Sequence, residues 1–118
     1  MYASNMENNM NNLQNLMKEF SDSLTSVQKG IKSFDDIKQN VENIKNSLTL
    51  IKTDINTLKP PSNLLTLHNT VMEGCDLYLQ GVNEFMKFYD DGDDEHFVTG
   101  GLKIQEGTEL MYKAADMF

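Results

Sequence analysis

The chain contains no tryptophan, no arginine, a single cysteine and only two prolines among its 118 residues. One cysteine excludes an internal disulfide. Cys75 lies at an apolar position of a helical pattern, where a buried thiol is the commonest role and a reactive or dimer-bridging thiol is the alternative. No stretch approaches the roughly 18 consecutive apolar residues of a membrane-spanning helix. The length suits one domain, residues 1–118, whose core needs no disulfide or metal.

Basic side chains are also scarce, and fewer of them lie in the second half of the chain than in the first. The net charge is −8: seven lysines balance seven acidic residues up to Lys59, and three lysines face eleven acidic residues beyond it. An acidic surface repels phosphates and anionic membranes, so we expect no nucleic-acid partner. Because no basic leader precedes an apolar run, we expect a cytoplasmic protein if Met1 is the native start, and a cell-envelope protein if an export signal was trimmed.

What the first half does contain is a helical repeat. Apolar residues recur three and four positions apart from Met6 to Leu58. This spacing places one apolar stripe along a helix, as in coiled coils, and other helices must cover it. The repeat falters near Gly30, and Ser33 followed by Asp36 is a helix-start signal. We therefore predict two helices, about 5–30 and 34–58, with one long helix over 5–58 as the alternative.

The second half shows two further helices. Pro60 and Pro61 end the second helix, and Ser62 is a candidate cap for the third. The acidic run around Gly92 predicts a turn, with Asp93 or Asp94 capping the last helix. These signals give helices at about 62–89 and 94–117. Four helices of similar length with short connections predict an all-α, antiparallel, up-and-down four-helix bundle.

Four glycines lie inside the third and fourth helices, although each costs about 1 kcal/mol relative to alanine. Folding the hairpin at its turn sets Gly74 opposite Gly107 and Gly81 opposite Gly100. Close approach of the two backbones is the interpretation we favour. A groove left for a partner, or glycines that merely soften the helices, are the alternatives.

A row of lysines recurs every seven residues along the second helix. We expect it to follow a helix–helix boundary, with acidic residues of the third or fourth helix as partners, or else to be solvated. The lysines are Lys38, Lys45, Lys52 and Lys59; the candidate partners are Glu73, Asp76, Glu84, Glu106 and Glu109.

No set of residues has the spacing that catalysis or metal binding requires. His68 and Cys75 are two turns, about 10 Å, apart, which is too far for one zinc ion. The acidic loop lacks the glycine position of a calcium-binding EF-hand, and no nucleophile pattern or phosphate-binding glycine loop is present. We predict no catalytic, cofactor-binding or metal-ligating residues and no enzyme activity. We expect His68 to hydrogen-bond Asp116 at the end of the bundle, and His96 to be exposed.

Residues 60–118 carry several short elements of a known helical hairpin. These are Pro60-Pro61, Leu67-His68, Tyr78, the Gly92-Asp93 turn, Gly107 and Ala114-Ala115. The segment resembles the hairpin of small uncharacterised proteins and lipoproteins of low-GC Gram-positive bacteria. The resemblance implies a helical bundle and a cell-envelope setting, with no assigned activity, although this chain shows no lipobox.

Since we predict no catalytic, cofactor-binding or metal-ligating residues, we expect the chain to act by binding. We predict protein–protein interaction or self-association, including a homodimer, through the apolar edge of the first helix: Met6, Met10, Leu13, Met17 and Phe20. The alternative is a small-molecule or peptide site in a groove beside Gly74, Gly81, Gly100 and Gly107.

Overall fold

Four α-helices account for most of the chain in the computed structural model, which describes residues 1–118. They are α1 (Tyr2–Gln28), α2 (Phe34–Thr57), α3 (Leu65–Asp91) and α4 (Glu95–Asp116), with a short 3₁₀ turn at Ser62–Leu64 before α3. The structure contains no strand, which confirms the all-α four-helix bundle. Its extents are 46 × 22 × 21 Å, and its long axis follows the helices.

The break between α1 and α2 excludes the single long helix. Gly30 has a φ of 73°, in the left-handed region, and Ser33 is the N-cap of α2. The Ser33 hydroxyl accepts from the Asp36 amide at 3.2 Å, and the Asp36 carboxylate accepts from the Ser33 amide at 2.9 Å. This reciprocal capping box satisfies amide groups that otherwise lack partners at a helix start.

Local chemistry also sets the other two connections. Ser62 opens the 3₁₀ turn, and no side chain caps α3, so the predicted capping role of Ser62 is wrong. Between α3 and α4, Gly92 has a φ of 68° and donates its amide to the Phe88 carbonyl. The Asp93 carboxylate accepts from the Glu95 amide at 3.0 Å, which turns the chain into α4.

The buried core is shared unequally among the helices. α1, α2 and α3 supply all of its side chains except one, and α4 contributes only Ala114. The core residues are Met6, Leu13, Phe20, Ile37, Val41, Ile44, Leu48, Ile55, Leu67, Val71, Cys75, Tyr78, Val82, Phe85 and Ala114. None of the helices combines the length and apolarity needed to cross a membrane.

Candidate functional site

α3 and α4 make the closest helix–helix contact in the molecule, and the glycine pairs explain it. A Cβ atom on Gly100 would lie 2.7 Å from the Gly81 carbonyl oxygen, and one on Gly107 would lie 3.0 Å from the Gly74 carbonyl oxygen. The two backbones therefore touch at both pairs, in the pairing expected from the hairpin. A side chain at Gly81 or Gly100 would require the two backbones to move apart, because its Cβ would lie within 2.8 Å of the carbonyl oxygen of the other glycine.

This tight pairing leaves one side of the bundle open. α1 packs along α2, α2 along α3, and α3 along α4, but α1 and α4 have no comparable contact. Because the glycines draw α4 onto α3, the seam between α4 and α1 becomes a groove with α3 as its floor. Two cavities lie in this seam, and because Met17 lines both of them, they are adjacent; we call the two together the groove.

The half of the groove near the α3–α4 turn is surrounded by aromatic rings, and we name it the aromatic half. It is a cavity of about 360 Å³. The Phe34 and Phe97 rings stack at 4.9 Å, and Phe97 also lies 5.1 Å from Phe85. Its lining residues are Met17, Phe20, Ser21, Leu24, Val27, Gln28, Phe34, Gly81, Phe85, Phe97, Gly100, Gly101 and Ile104.

The other half of the groove contains more flexible side chains, and we name it the methionine half. It is a cavity of about 350 Å³, and the Tyr78 and Thr108 hydroxyl oxygens are hydrogen-bonded at 3.1 Å beside it. Methionine adapts its shape to irregular ligands. Its lining residues are Met10, Asn11, Gln14, Met17, Tyr78, Thr108, Met111, Tyr112 and Ala115.

The groove contains no charged side chain, although the chain as a whole carries a net charge of −8. Apolar side chains continue onto the outer surface of α4. Val98, Leu102 and Tyr112 are 59%, 56% and 71% exposed. Exposed apolar side chains on the helix that borders an uncharged cavity are consistent with a binding site.

Gly101 differs from the four paired glycines. A Cβ atom added there would meet nothing within 4 Å, and the residue lines the aromatic half. A glycine inside a helix costs about 1 kcal/mol relative to alanine, and no contact within the bundle requires it at this position. Because Gly101 has no side chain, the backbone of α4 is accessible from the groove at this position.

The apolar edge predicted on α1 is mostly buried within the bundle. Met6, Leu13 and Phe20 are at most 4% exposed and belong to the core. Met10 and Met17 pack against that core, are partly exposed and line the groove. Of the predicted interaction residues, only these two present a substantial accessible surface.

The predicted hydrogen bond between His68 and Asp116 is wrong. The Tyr2 hydroxyl and His68 Nδ1 are hydrogen-bonded at 2.8 Å, and Asp116 is exposed. α1 begins at Tyr2, earlier than the sequence predicts, and its first turn covers His68. The polar pair at this end of the bundle therefore joins α1 to α3.

The prediction that His96 is exposed is also wrong. Its side chain is 16% exposed, with Nδ1 2.8 Å from a Glu84 oxygen and Nε2 2.7 Å from an Asp91 oxygen. Hydrogen bonds to Asp91 and Glu84 raise the pKa of His96, and the same bonds lower the pKa of both carboxyl groups. This cluster links the start of α4 to the end of α3.

One of the four lysines in the predicted row forms an ion pair. Lys52 Nζ lies 2.5 Å from Asp76, which joins α2 to α3. Lys38 Nζ lies 5.3 Å above the centre of the Tyr89 ring. Lys45 and Lys59 form no ion pair, and Glu84 pairs with Lys87 and His96.

The reactive groups are few and separated. Cys75 is fully buried, and burial raises its pKa to about 12, so the thiolate is not populated near neutral pH. No three His, Cys, Asp or Glu side chains come together to hold a metal ion. The chain matches no protein-family model, no curated protein and no solved structure.

Sequence reasoning missed much of the groove lining, notably Phe97, Ile104 and Met111. The available signal was the Gly100-Gly101 doublet. Gly100 has a partner across the hairpin, whereas Gly101 has none.

Proposed function

We propose that this chain is a non-enzymatic binding protein that takes up an apolar segment of another protein in the groove between α1 and α4. The observation that carries the proposal is the uncharged apolar groove on an otherwise acidic molecule. A helix placed there would pack as an additional member of the bundle, in the helix-in-groove mode of recognition.

The sides of the groove suit such a ligand. Met10, Met17 and Met111 offer adaptable contacts, while Phe85 and Phe97 offer rigid apolar surface. Asn11, Gln14 and Thr108 supply uncharged hydrogen-bonding groups along the methionine half. A ligand gains apolar burial along the groove without leaving a buried charge unpaired.

A small uncharged molecule is the second candidate ligand. The aromatic half measures about 360 Å³, within the range of roughly 300–1,000 Å³ that small-molecule pockets span. Rings on several sides also favour a compact apolar ligand. This candidate needs only one half of the groove, whereas a protein segment uses both.

The test uses N-phenyl-1-naphthylamine, an uncharged dye that fluoresces in apolar surroundings. We expect the wild-type chain to bind the dye saturably, with a site in the aromatic half. We expect dye fluorescence from that site to be lost in a Gly101→Leu variant. A Cβ atom at position 101 meets nothing within 4 Å, so we expect the variant to keep the fold. Because Gly101 lines the aromatic half, we expect the leucine side chain to occupy part of that cavity.

The matched control is Asn46→Leu, which adds the same side chain at an exposed position on α2. This variant keeps dye binding if the groove is the site. Equal dye binding by both variants, or no binding by the wild-type chain, contradicts the proposal. Circular dichroism of both variants establishes that they are folded.

A further inference from the structure

The two halves of the groove are about three helical turns apart. On α4, the aromatic half extends from Phe97 to Ile104 and the methionine half from Thr108 to Ala115. Their centres are separated by about eleven residues, or about 16 Å at 1.5 Å per residue. In any α-helix, side chains eleven positions apart project from the same face, because eleven residues make close to three turns. A ligand helix along the groove can therefore place one large apolar side chain in each half.

The helices that border the groove are acidic. α1 and α4 together contain seven acidic residues and three lysines, whereas the groove between them has no charge. Two of the seven, Glu106 and Glu109, line a separate cavity and not the groove. A helix in the groove lies in the electrostatic field of a molecule whose net charge is −8. Lysine and arginine on the polar flanks of that helix are attracted, and aspartate and glutamate are repelled.

The same charge argument separates a foreign partner from a second copy of this chain. Each copy carries a net charge of −8, so two copies repel each other as they approach. In addition, most of the apolar edge of α1 is already buried in its own bundle. A basic partner meets neither obstacle.

We propose that the groove binds a basic amphipathic helix of another protein, carrying two large apolar side chains three turns apart. The inference rests on the proposed function and specifies the chemistry of its ligand. The open space at Gly101 lets one of these side chains reach the backbone of α4.

The probe is a synthetic helical peptide of about eighteen residues, 27 Å long, made of lysine and alanine with two phenylalanines eleven positions apart. We expect it to bind with micromolar affinity in a one-to-one complex, measured by fluorescence anisotropy, and to displace the uncharged dye. Its affinity falls as sodium chloride is raised, because the flanking attraction is screened. Binding is weakened at least about tenfold in Gly101→Leu and is unchanged in Asn46→Leu.

Two control peptides test the two parts of the inference. One has the phenylalanines five positions apart, which places them on different faces, and the other has glutamate in place of lysine. Each is expected to bind at least about tenfold more weakly. Equal affinity for the three peptides, or no displacement of a dye that does bind the groove, overturns this inference and leaves the proposed function standing.

Two other outcomes assign the groove differently. Light scattering that shows a dimer, dissociated by the dye, identifies a second copy as the occupant and overturns the inference. Failure of the dye itself to bind removes the proposed function together with the inference. Light scattering and dye titration of the wild-type chain are therefore measured first.

Discussion

At the scale of single residues, His96 of α4 has two carboxylate partners on α3, Glu84 and Asp91. Both of its ring nitrogens face carboxylate oxygens, so the doubly protonated ring satisfies both contacts. Glu84 also accepts a hydrogen bond from Lys87, which is the other charged side chain in contact with this cluster. Three titrating groups therefore hold the end of α3 to the start of α4.

A His96→Gln substitution tests this cluster by its pH dependence. The pKa of His96 is raised in the folded state, so its contribution is fully present below its unfolded pKa, near 6.5, and is lost as pH rises through the folded value. The pKa values of Glu84 and Asp91 are lowered, so their contributions are lost as pH falls through the folded values. Urea unfolding at constant ionic strength should give the largest difference from wild type near pH 5.5 and a smaller one at pH 8.5. An equal difference at the two pH values would show that the histidine acts by packing alone.

Single polar contacts between distant residues were the least predictable feature. The partner of His68 depends on where α1 begins and on how each helix is rotated about its axis. A rotation of one residue, 100°, moves a side chain from one neighbouring helix to another. Sequence spacing gives the position of a residue along the bundle axis but not the direction of its side chain. It therefore could not identify Tyr2 as the partner of His68.

At the scale of helices, the starts and ends followed from local signals. Ser33 and Asp36 form the predicted helix start, and Gly92 lies at the predicted turn. These signals depend on hydrogen bonds between residues close in sequence, so the sequence alone contains them. The start of α3 was less predictable because a 3₁₀ turn precedes it without a side-chain cap.

The adjacent glycines of α4 provide a matched pair of substitutions. In Gly100→Ala, the new Cβ would lie 2.7 Å from the Gly81 carbonyl oxygen, and the backbones must separate. Overpacking costs roughly 1–3 kcal/mol and helix propensity returns about 1 kcal/mol, so we expect a net loss of up to about 2 kcal/mol in the free energy of unfolding. In Gly101→Ala, the new Cβ meets nothing, and we expect a gain of about 1 kcal/mol from helix propensity.

Denaturant unfolding of the two variants, each compared with wild type, measures both changes. The experiment separates a glycine needed for helix contact from one that the bundle itself does not need. Destabilisation of both variants to the same extent would show that Gly101 has a packing role, and would remove one argument for the groove.

The location of the groove depends on how α4 is oriented in the bundle, which neighbouring residues alone do not determine. The glycine pairs could be matched along the hairpin by counting from its turn. Which side of α4 then faces α1, and how far away α1 lies, depends on packing across the whole bundle. The contribution of α4 to the core, Ala114 alone, gives the physical reason: α4 is held by α3 and leaves Phe97, Ile104 and Met111 at the groove.

At the scale of the whole molecule, α1 has two roles. It supplies Met6, Leu13 and Phe20 to the core and forms one side of the groove with Met10 and Met17. It is therefore both a structural helix and part of the candidate binding surface. These two roles have different consequences when the helix is removed.

Deletion of residues 1–30 is expected to abolish cooperative unfolding. Truncating one large buried side chain costs about 2–5 kcal/mol, and the deletion removes three of them, against a total stability of about 5–15 kcal/mol for a typical domain. Thermal unfolding followed by circular dichroism should show a broad transition in place of a sigmoidal one. Deletion of the exposed Met117 and Phe118, which follow α4, is the control and should leave the transition intact.

A cooperative transition in the chain that lacks residues 1–30 would carry a different meaning. It would show that α2, α3 and α4 form a stable unit, and that α1 is a removable cover over their apolar faces. The edge from Met6 to Phe20 would then be free to pack against a second copy, as self-association through α1 requires. The deletion thus decides whether the apolar edge of α1 packs within its own chain, as its burial indicates, or against a second chain.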